Sequence, residues 1–377
     1  MTWRRPDARQ RPFVLVCVLL AVGVAAGIAL AFRSAPPANP FGSGAAAPKT
    51  RYVSRAVGSD RAPGTPSRPW KTIRRALRSL RPGDVVVVGP GTYPETLVES
   101  RSGRANAPIA IAALPGERPT ITGRLKISGS WVRVSGFLFR GQTSANRHGV
   151  LVYVAGADHV ELSGNELEDA AKSGVYLGDP GKGADYARIV GNYIHDNGTH
   201  SNLDHGVYYG TGRGGYIANN VVVDNYAKGI QLYPDCDQAV VANNTIVRNR
   251  RYGIILGGDD GTTSSGNVIA NNVVAFNGSG GITTYWGSGP GTGNVATDNL
   301  VFQNGSATGN TNVFGDSLAA SGTIVVDPLF RKDDDFRLGP GSPALDAAQP
   351  RWSPPTDIAG RARPEGAGPD LGAYESG

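Results

Sequence analysis

Three of the chain's five histidines, His195, His200 and His205, lie in one short stretch, followed by Tyr208, Lys228, Gln231, Tyr233, Asp235 and Tyr252. An imidazole or a depressed lysine is a base, a phenol donates a proton, and a second cation neutralises a carboxylate. Those are the parts required to take a proton from the carbon next to a carboxylate and expel an oxygen leaving group. His205 or Lys228 is therefore the candidate base and Tyr208 the candidate proton donor, with the other cation holding the carboxylate. A lysine serves as base only when burial or neighbouring charge pushes it toward neutrality. Gln231, Tyr233, Tyr252, Tyr176, His200 and Asp204 are the candidate substrate contacts. Asp235, Asp259 and Asp260, with Asp179, supply the oxygen donors that calcium prefers, although aspartates also close turns without a metal.

These residues are far apart in sequence, so something must stack them. From Gly123 onward the chain repeats a unit of Asn-x-Val/Ile/Leu, a second Asn, then Gly-Ile/Val-x-Leu. Its leading asparagines are Asn165, Asn192, Asn220, Asn244, Asn272 and Asn299, at spacings of 27, 28, 24, 28 and 27 residues. Short β runs at that period mark a solenoid. Coils stacked at the strand spacing of about 4.8 Å put equivalent side chains in columns, and a column of buried asparagines can satisfy its own amides. The asparagines are thus read as structural.

Side chains alternate along a strand, so aligning Gly174, Gly206, Gly229, Gly253 and Gly281 predicts two outward columns. One holds Ser173, His205, Lys228, Tyr252 and Gly280; the other holds Tyr176, Tyr208, Gln231, Ile255 and Thr283. The interval from leading Asn to Gly is nine residues in four coils but 14 between Asn192 and Gly206. The extra residues, within Gly198 to Asp204, bulge just before His205, where solenoid insertions commonly build a binding face. A polar surface loop with incidental histidines is the plainer account of the same residues.

Residues 1–81 hold 15 of the 37 Lys+Arg and 2 of the 31 Asp+Glu, so the remainder has seven more acids than bases despite a formal charge of +6. A body without a basic stripe argues against nucleic acid. Residues 13–32 form an apolar run after four arginines, long enough to cross a bilayer with the basic tail 1–12 in the cytoplasm and the rest outside. Ala29-Leu30-Ala31 also suits signal cleavage, so the body is expected to be single-pass membrane-anchored or secreted. Residues 33–50, rich in Ala, Pro, Gly and Ser, read as a flexible linker. Cys17 and Cys236 are placed where no intramolecular disulfide is expected. Ile73, Ala76, Leu77 and Leu80 recur on one face of a predicted helix whose other face carries Lys71, Arg74, Arg75 and Arg78, a suitable plug for the first coil.

Tyr52-Val53-Ser54, Pro63-Gly64-Thr65 and Pro82-Gly83-Asp84 through Tyr93 resemble the N-terminal start motif of secreted proteins in the pectate-lyase-like superfamily of right-handed parallel β-helices. Pro340-Gly341-Ser342-Pro343, Asp357-Ile358-Ala359-Gly360-Arg361 and Asp370-Leu371-Gly372-Ala373-Tyr374-Glu375 are similar to the endings of such chains. The resemblance runs over nearly all of 52–377. It implies an all-β, single right-handed parallel β-helix with an N-terminal capping helix and a transmembrane or signal segment. The β-helix spans 51–377: start motif and cap 51–93, repeat coils 123–310, C-terminal segment 325–377. It also implies a polysaccharide partner, without choosing among lyases, hydrolases, epimerases and binders. Inverting hydrolases of this fold resemble one another in Asn-Thr-Asp, Asp-Asp, Gly-His-Gly and Arg-Ile-Lys, in that order. Here Asp259-Asp260 follows His205-Gly206 and the other two motifs are absent, which disfavours hydrolysis. The expected protein is a monomeric, extracytoplasmic lyase or epimerase acting on an acidic polysaccharide, calcium being its one candidate cofactor. The rival is a non-catalytic glycan-binding surface protein.

Overall fold

Short strands in which inward and outward side chains alternate recur around the coils and set the architecture. The computed structural model describes residues 48–142, 149–259, 261–284, 289–305, 312–332 and 335–376. The expected tail 1–12, the apolar run 13–32, Cys17 and most of the linker 33–50 lie outside these residues. Among the described residues no helix is long and apolar enough to cross a membrane.

The chain winds as an all-β, right-handed parallel β-helix with three parallel sheets. Sheet 1 has 11 strands, from Thr50–Val53 to Leu318–Ser321; sheet 2 has nine, from Thr92–Tyr93 to Leu300–Phe302; sheet 3 has nine, from Leu97–Glu99 to Val313–Phe314. Winding begins well before Gly123, because the early coils turn at Gly and Pro corners and the Asn signal starts only at Asn165.

Inward columns such as Ile189–Ile217–Val241–Ile269 in sheet 1, Ile194–Val222–Ile246–Val274 in sheet 2 and Val207–Ile230–Ile254–Ile282 in sheet 3 form one continuous core. Each such side chain contributes roughly 1.5–3 kcal/mol on burial. Repetition of that contribution along the coils supplies the bulk of the stability.

From Asn192 to Asn304 the coils bend sharply at the sheet 1–2 and sheet 2–3 corners through one left-handed residue followed by an asparagine. Asn219, Asn243 and Asn271 take φ of 55°, 50° and 58° at the first corner; Asp224, Arg248 and Phe276 take 56°, 56° and 58° at the second. Asn and Asp tolerate this region, whereas Arg248 and Phe276 are held there against a local cost of about 1–2 kcal/mol. What holds them is the next residue. Each buried corner Asn donates Nδ2 to the Oδ1 of its counterpart one coil on, at 2.8–3.1 Å, along Asn165–Asn192–Asn220–Asn244–Asn272–Asn299 and Asn197–Asn225–Asn249–Asn277–Asn304. Asn312 extends the second ladder and Asn267–Asn294 makes a short third one, both outside the repeat pattern.

Near the N-terminus Ile73–Leu77 forms a five-residue helix with Ile73, Ala76 and Leu77 buried, packed beside Thr50–Val53 and Leu97–Glu99. Thr72 caps it, and the Glu95 carboxylate accepts from the N–H groups of Ile73 and Arg74. At the other end, residues from Phe330 to Tyr374 leave the winding and fold back over the outer face of sheet 2, covering Val221, Val223, Val247, Val273 and Leu300. Arg363 and Glu375, each 1% exposed in the side chain, pair at 2.8 Å beneath this segment, and Arg363 also donates to the carbonyls of Asp370 and Gly372. Removing one partner of such a buried pair strands the other. Arg363→Met is expected to lower the unfolding free energy by about 3 kcal/mol and to speed cleavage of the C-terminal segment in limited proteolysis. A variant as stable and as resistant as the parent would show that the apolar contacts alone hold the segment.

Candidate functional site

The outer face of sheet 3 is built by register. Tyr153, Tyr176, Tyr208, Gln231, Ile255 and Thr283 are successive Cα partners in one column. In the other, Gly174 N–H donates to His205 O, Gly206 N–H to Lys228 O and Gly229 N–H to Tyr252 O, so Ser173, His205, Lys228 and Tyr252 are aligned. The glycines are required by close approach: a Cβ on Gly206 would lie 2.6 Å from the Val222 side chain and 2.8 Å from Gly229 O. Both predicted columns therefore exist, and His205 and Lys228 share one.

Stacked coils bring the tyrosine rings together. Tyr153 and Tyr176 are 5.5 Å apart, Tyr176 and Tyr208 4.7 Å, and the His205 imidazole lies 5.5 Å from the Tyr208 ring at 16°. Lys126 Nζ sits 5.6 Å from the Tyr153 ring, prolonging the platform toward the N-terminal coils. Asp179 accepts the Tyr153 hydroxyl, and burial together with Asp179 pushes the Tyr176 phenol up to about 12. Burial likewise raises Tyr208, so its phenol keeps its proton throughout the physiological range.

His205 is fully buried, and neither ring nitrogen has a hydrogen-bond partner. Burial, with the Lys228 charge behind it, pushes the imidazole well below its ordinary value. A neutral His205 does not supply the carboxylate-holding cation that the sequence left open to it. Lys228 is 5% exposed, donates Nζ to Asn202 O at 2.6 Å and is brought down to about 8 by burial and then by the Arg251 guanidinium. Arg251 was not singled out in the sequence; its value comes from lying in the coil next to Lys228.

The insertion before His205 covers this column. Asp204 Oδ2 accepts from the N–H groups of Thr199, His200 and Ser201 at 3.1, 3.1 and 2.9 Å, and Gly198 supplies the left-handed turn at φ 91°. Asp204 is thus the internal clasp of the loop, while the His200 side chain is exposed at its tip. Gln231 is buried with Oε1 unpartnered; Tyr233, Tyr252 and Asp235 are half-buried at the rim. Burial raises Asp235, and so do Asp237, Asp259 and Asp185. Asp259 is exposed, accepts from Thr262 Oγ1 and closes a turn; Asp260 lies outside the described residues.

His195, sequence neighbour of His205, emerges from a different sheet. It belongs to the outer face of sheet 2 with Glu166 and Glu168, the one three-ligand convergence of His, Cys, Asp and Glu found among the described residues. Burial opposes its protonation, but hydrogen bonds to Asp196 and Glu166 prevail and raise it to about 9. The signal lay in Glu166-Leu167-Glu168 and Tyr193-Ile194-His195, triplets at the repeat spacing whose middle residue points inward.

Fold and site together define a pectate-lyase-like parallel β-helix with a polar, aromatic outer sheet. Residues 51–315 match the family described as Pel9A-like, right handed beta helix region, and the chain belongs to that family. It is similar to the uncharacterized protein YwoF of Bacillus subtilis (strain 168), 28% identical over 273 residues, which are 67% of this chain and 48% of that protein; the chain thus matches about half of that relative's length. Among solved structures it resembles pectate lyase Pel9A (TM-score 0.61, 16% identity, covering 89% of this chain and 98% of that one). It also resembles the alginate lyase from Paenibacillus sp. str. FPU-7 (0.54, 16%, 74% and 98%) and the GH136 lacto-N-biosidase from Eubacterium ramulus (0.55, 15%, 74% and 67%). At these identities the likeness is one of fold, and the neighbours include both polysaccharide lyases and glycoside hydrolases.

Proposed function

We propose that the chain is an extracytoplasmic lyase acting by β-elimination on an acidic, uronic-acid polysaccharide laid along the outer face of sheet 3. The observation that carries this reading is the placement of Lys228: an almost buried amine, aligned with His205, in the coil after Tyr208 and within reach of the Arg251 charge. The neutral Lys228 amine takes the C5 proton of the uronate, the electron pair forms the C4=C5 double bond, and the C4–O bond breaks. The departing oxygen takes the Tyr208 phenolic proton. Arg251 faces the carboxylate, whose charge must be neutralised for the C5 proton to leave. The same first step with proton return to the other face would be epimerisation, and recovery of an inverted polymer by NMR separates the two.

Asp235 and Asp259 would be the carboxylate ligands of a calcium ion, whose charge would help neutralise the uronate carboxylate. Oxygen donors suit calcium, and the mutual crowding of Asp235, Asp237, Asp259 and Asp185 favours a cation. The described aspartates do not converge three on a point, so no step is assigned to the ion. Export is supported by the apolar run at 13–32.

Elimination should quicken as pH rises through about 8 and level off above it, because burial has lowered the Lys228 pKa and only the neutral amine accepts a proton. The check is absorbance of the unsaturated product from the full-length chain on a panel of uronic-acid polymers, with and without calcium. A rate that falls across that range excludes Lys228 as base, and silence on every acidic polymer removes the lyase reading.

One observation favours a second reading. With Lys228 engaged by Asn202 O and His205 sealed, the half-buried rings of Tyr176 and Tyr208 are the part of the tyrosine column open to a ligand. A non-catalytic glycan-binding protein would use that column alone, and loss of polymer retention in Tyr176→Ala without turnover in the parent would identify it.

A further inference from the structure

A separate cluster lies on the outer face of sheet 2. Leu167 and Ile194 are register partners that point into the core, which sends Glu166, Glu168 and His195 outward from two adjacent strands. His195 Nε2 is 3.3 Å from Glu166 Oε1 and 3.3 Å from Glu168 Oε2. On its other side, His195 Nδ1 is 2.8 Å from Asp196 Oδ2. The remaining carboxylate oxygens are each taken by a guanidinium: Glu166 Oε2 by Arg118 and Glu168 Oε1 by Arg140. The His195 side chain is 4% exposed, those of Glu168 and Glu166 10% and 15%.

The pattern separates into an inner and an outer set. With Asp196 accepting from Nδ1–H, Nε2 faces two anionic oxygens; without an ion the Nε2 proton supplies the positive charge between them, and a metal ion would take that proton's place. A tetrahedral ion with bonds of about 2.0–2.1 Å holds its ligand atoms about 3.3–3.4 Å apart, which matches both Nε2–oxygen distances, and all three atoms lie within 4.8 Å of one another. Calcium and magnesium favour all-oxygen shells, whereas imidazole with carboxylates suits zinc and its first-row neighbours. A carboxylate behind the ligating histidine is the common outer partner of such ions.

We propose that Glu166 Oε1, Glu168 Oε2 and His195 Nε2 bind one divalent transition-metal ion of the zinc type, with Asp196 orienting the imidazole and Arg118 and Arg140 orienting the carboxylates. The two strands belong to successive coils, so the ion staples one coil to the next on a sheet that does not form the tyrosine face. Its role is structural, and the proposal is independent of the lyase reading.

The test uses the full-length chain stripped with a chelator and titrated with Co2+, followed by visible absorbance, and with Zn2+, followed by calorimetry and thermal unfolding. One ion per chain is expected, with the intense d–d bands of a low-coordinate Co2+ site and a rise in Tm on adding Zn2+. Glu166→Gln/Glu168→Gln, which preserves shape, should weaken binding at least about 100-fold; Asp196→Asn should weaken it about 10- to 100-fold; His200→Ala should leave it unchanged. No stoichiometric binding by the parent, or binding undiminished in the double variant, overturns the proposal and leaves the cluster as an ion-pair network. Circular dichroism reports whether the double variant folds, and single Glu168→Gln gives the same decision if it does not.

Discussion

Replacing Asn244 by alanine is expected to lower the unfolding free energy by about 4 kcal/mol, one of the largest single-residue effects in this protein. Asn244 Oδ1 accepts from both the backbone N–H and the Nδ2 of Asn220, at 2.9 Å each, and its own Nδ2 donates to Asn272 Oδ1, Ile217 O and Ala242 O. All of these groups are buried at a corner that water does not enter. Alanine therefore leaves several polar groups unpaired at once, each costing about 1–3 kcal/mol. The left-handed residue before it, Asn243, also loses the neighbour that fixes its turn. Guanidinium unfolding of the full chain gives the number. Asn202→Ala, on the exposed insertion, should stay within about 0.5 kcal/mol of the parent. A loss below about 1 kcal/mol for Asn244→Ala would mean that water enters the corner and takes over the asparagine's bonds.

Lys228→Met should lower kcat on the susceptible polymer about 10³-fold, within the range by which a positioned base accelerates proton removal. Methionine keeps the apolar stem of the lysine and fills similar space, so stability should change little while the amine is lost. The contact with Asn202 O is lost as well, and KM reports whether the insertion has shifted. Tyr208→Phe is the companion variant: it keeps the stack with Tyr176 and His205 but removes the proton for the leaving oxygen. Turnover of Lys228→Met within tenfold of the parent would exclude the amine as base and return the role to His205. In that case the insertion would have to open, since both imidazole nitrogens are sealed in the structure.

The two outward columns were legible in the sequence because a glycine followed by alternating residues fixes which side chains leave the core, and the repeat supplies the alignment. Burial was not legible. His205, Lys228 and Gln231 sit at outward positions yet are buried, and for Lys228 the lengthened coil takes part in this, its Asn202 carbonyl accepting from the amine instead of leaving it to solvent. Asp204 illustrates the same point: its type suggested substrate contact, but its position at the end of the insertion gives its carboxylate three backbone N–H groups to accept. His195 stood beside His200 and His205 in sequence and projects from another sheet, since a corner at Asp196–Asn197 turns the chain between them.

The order of residues by itself determined the winding. A period of 24 to 28 residues, with apolar triplets and two asparagines per turn, leaves parallel stacking as the way to bury the former and pair the latter. Only the tertiary structure decided which outward residues meet solvent and which charges meet each other. Those depend on what covers each sheet: the insertion over part of sheet 3, the C-terminal segment over sheet 2, and the remaining stretch of sheet 2 where Glu166, Glu168 and His195 converge. Periodicity fixes the direction of a side chain, but exposure and pKa are set by neighbours brought from elsewhere in the chain, which no local pattern encodes.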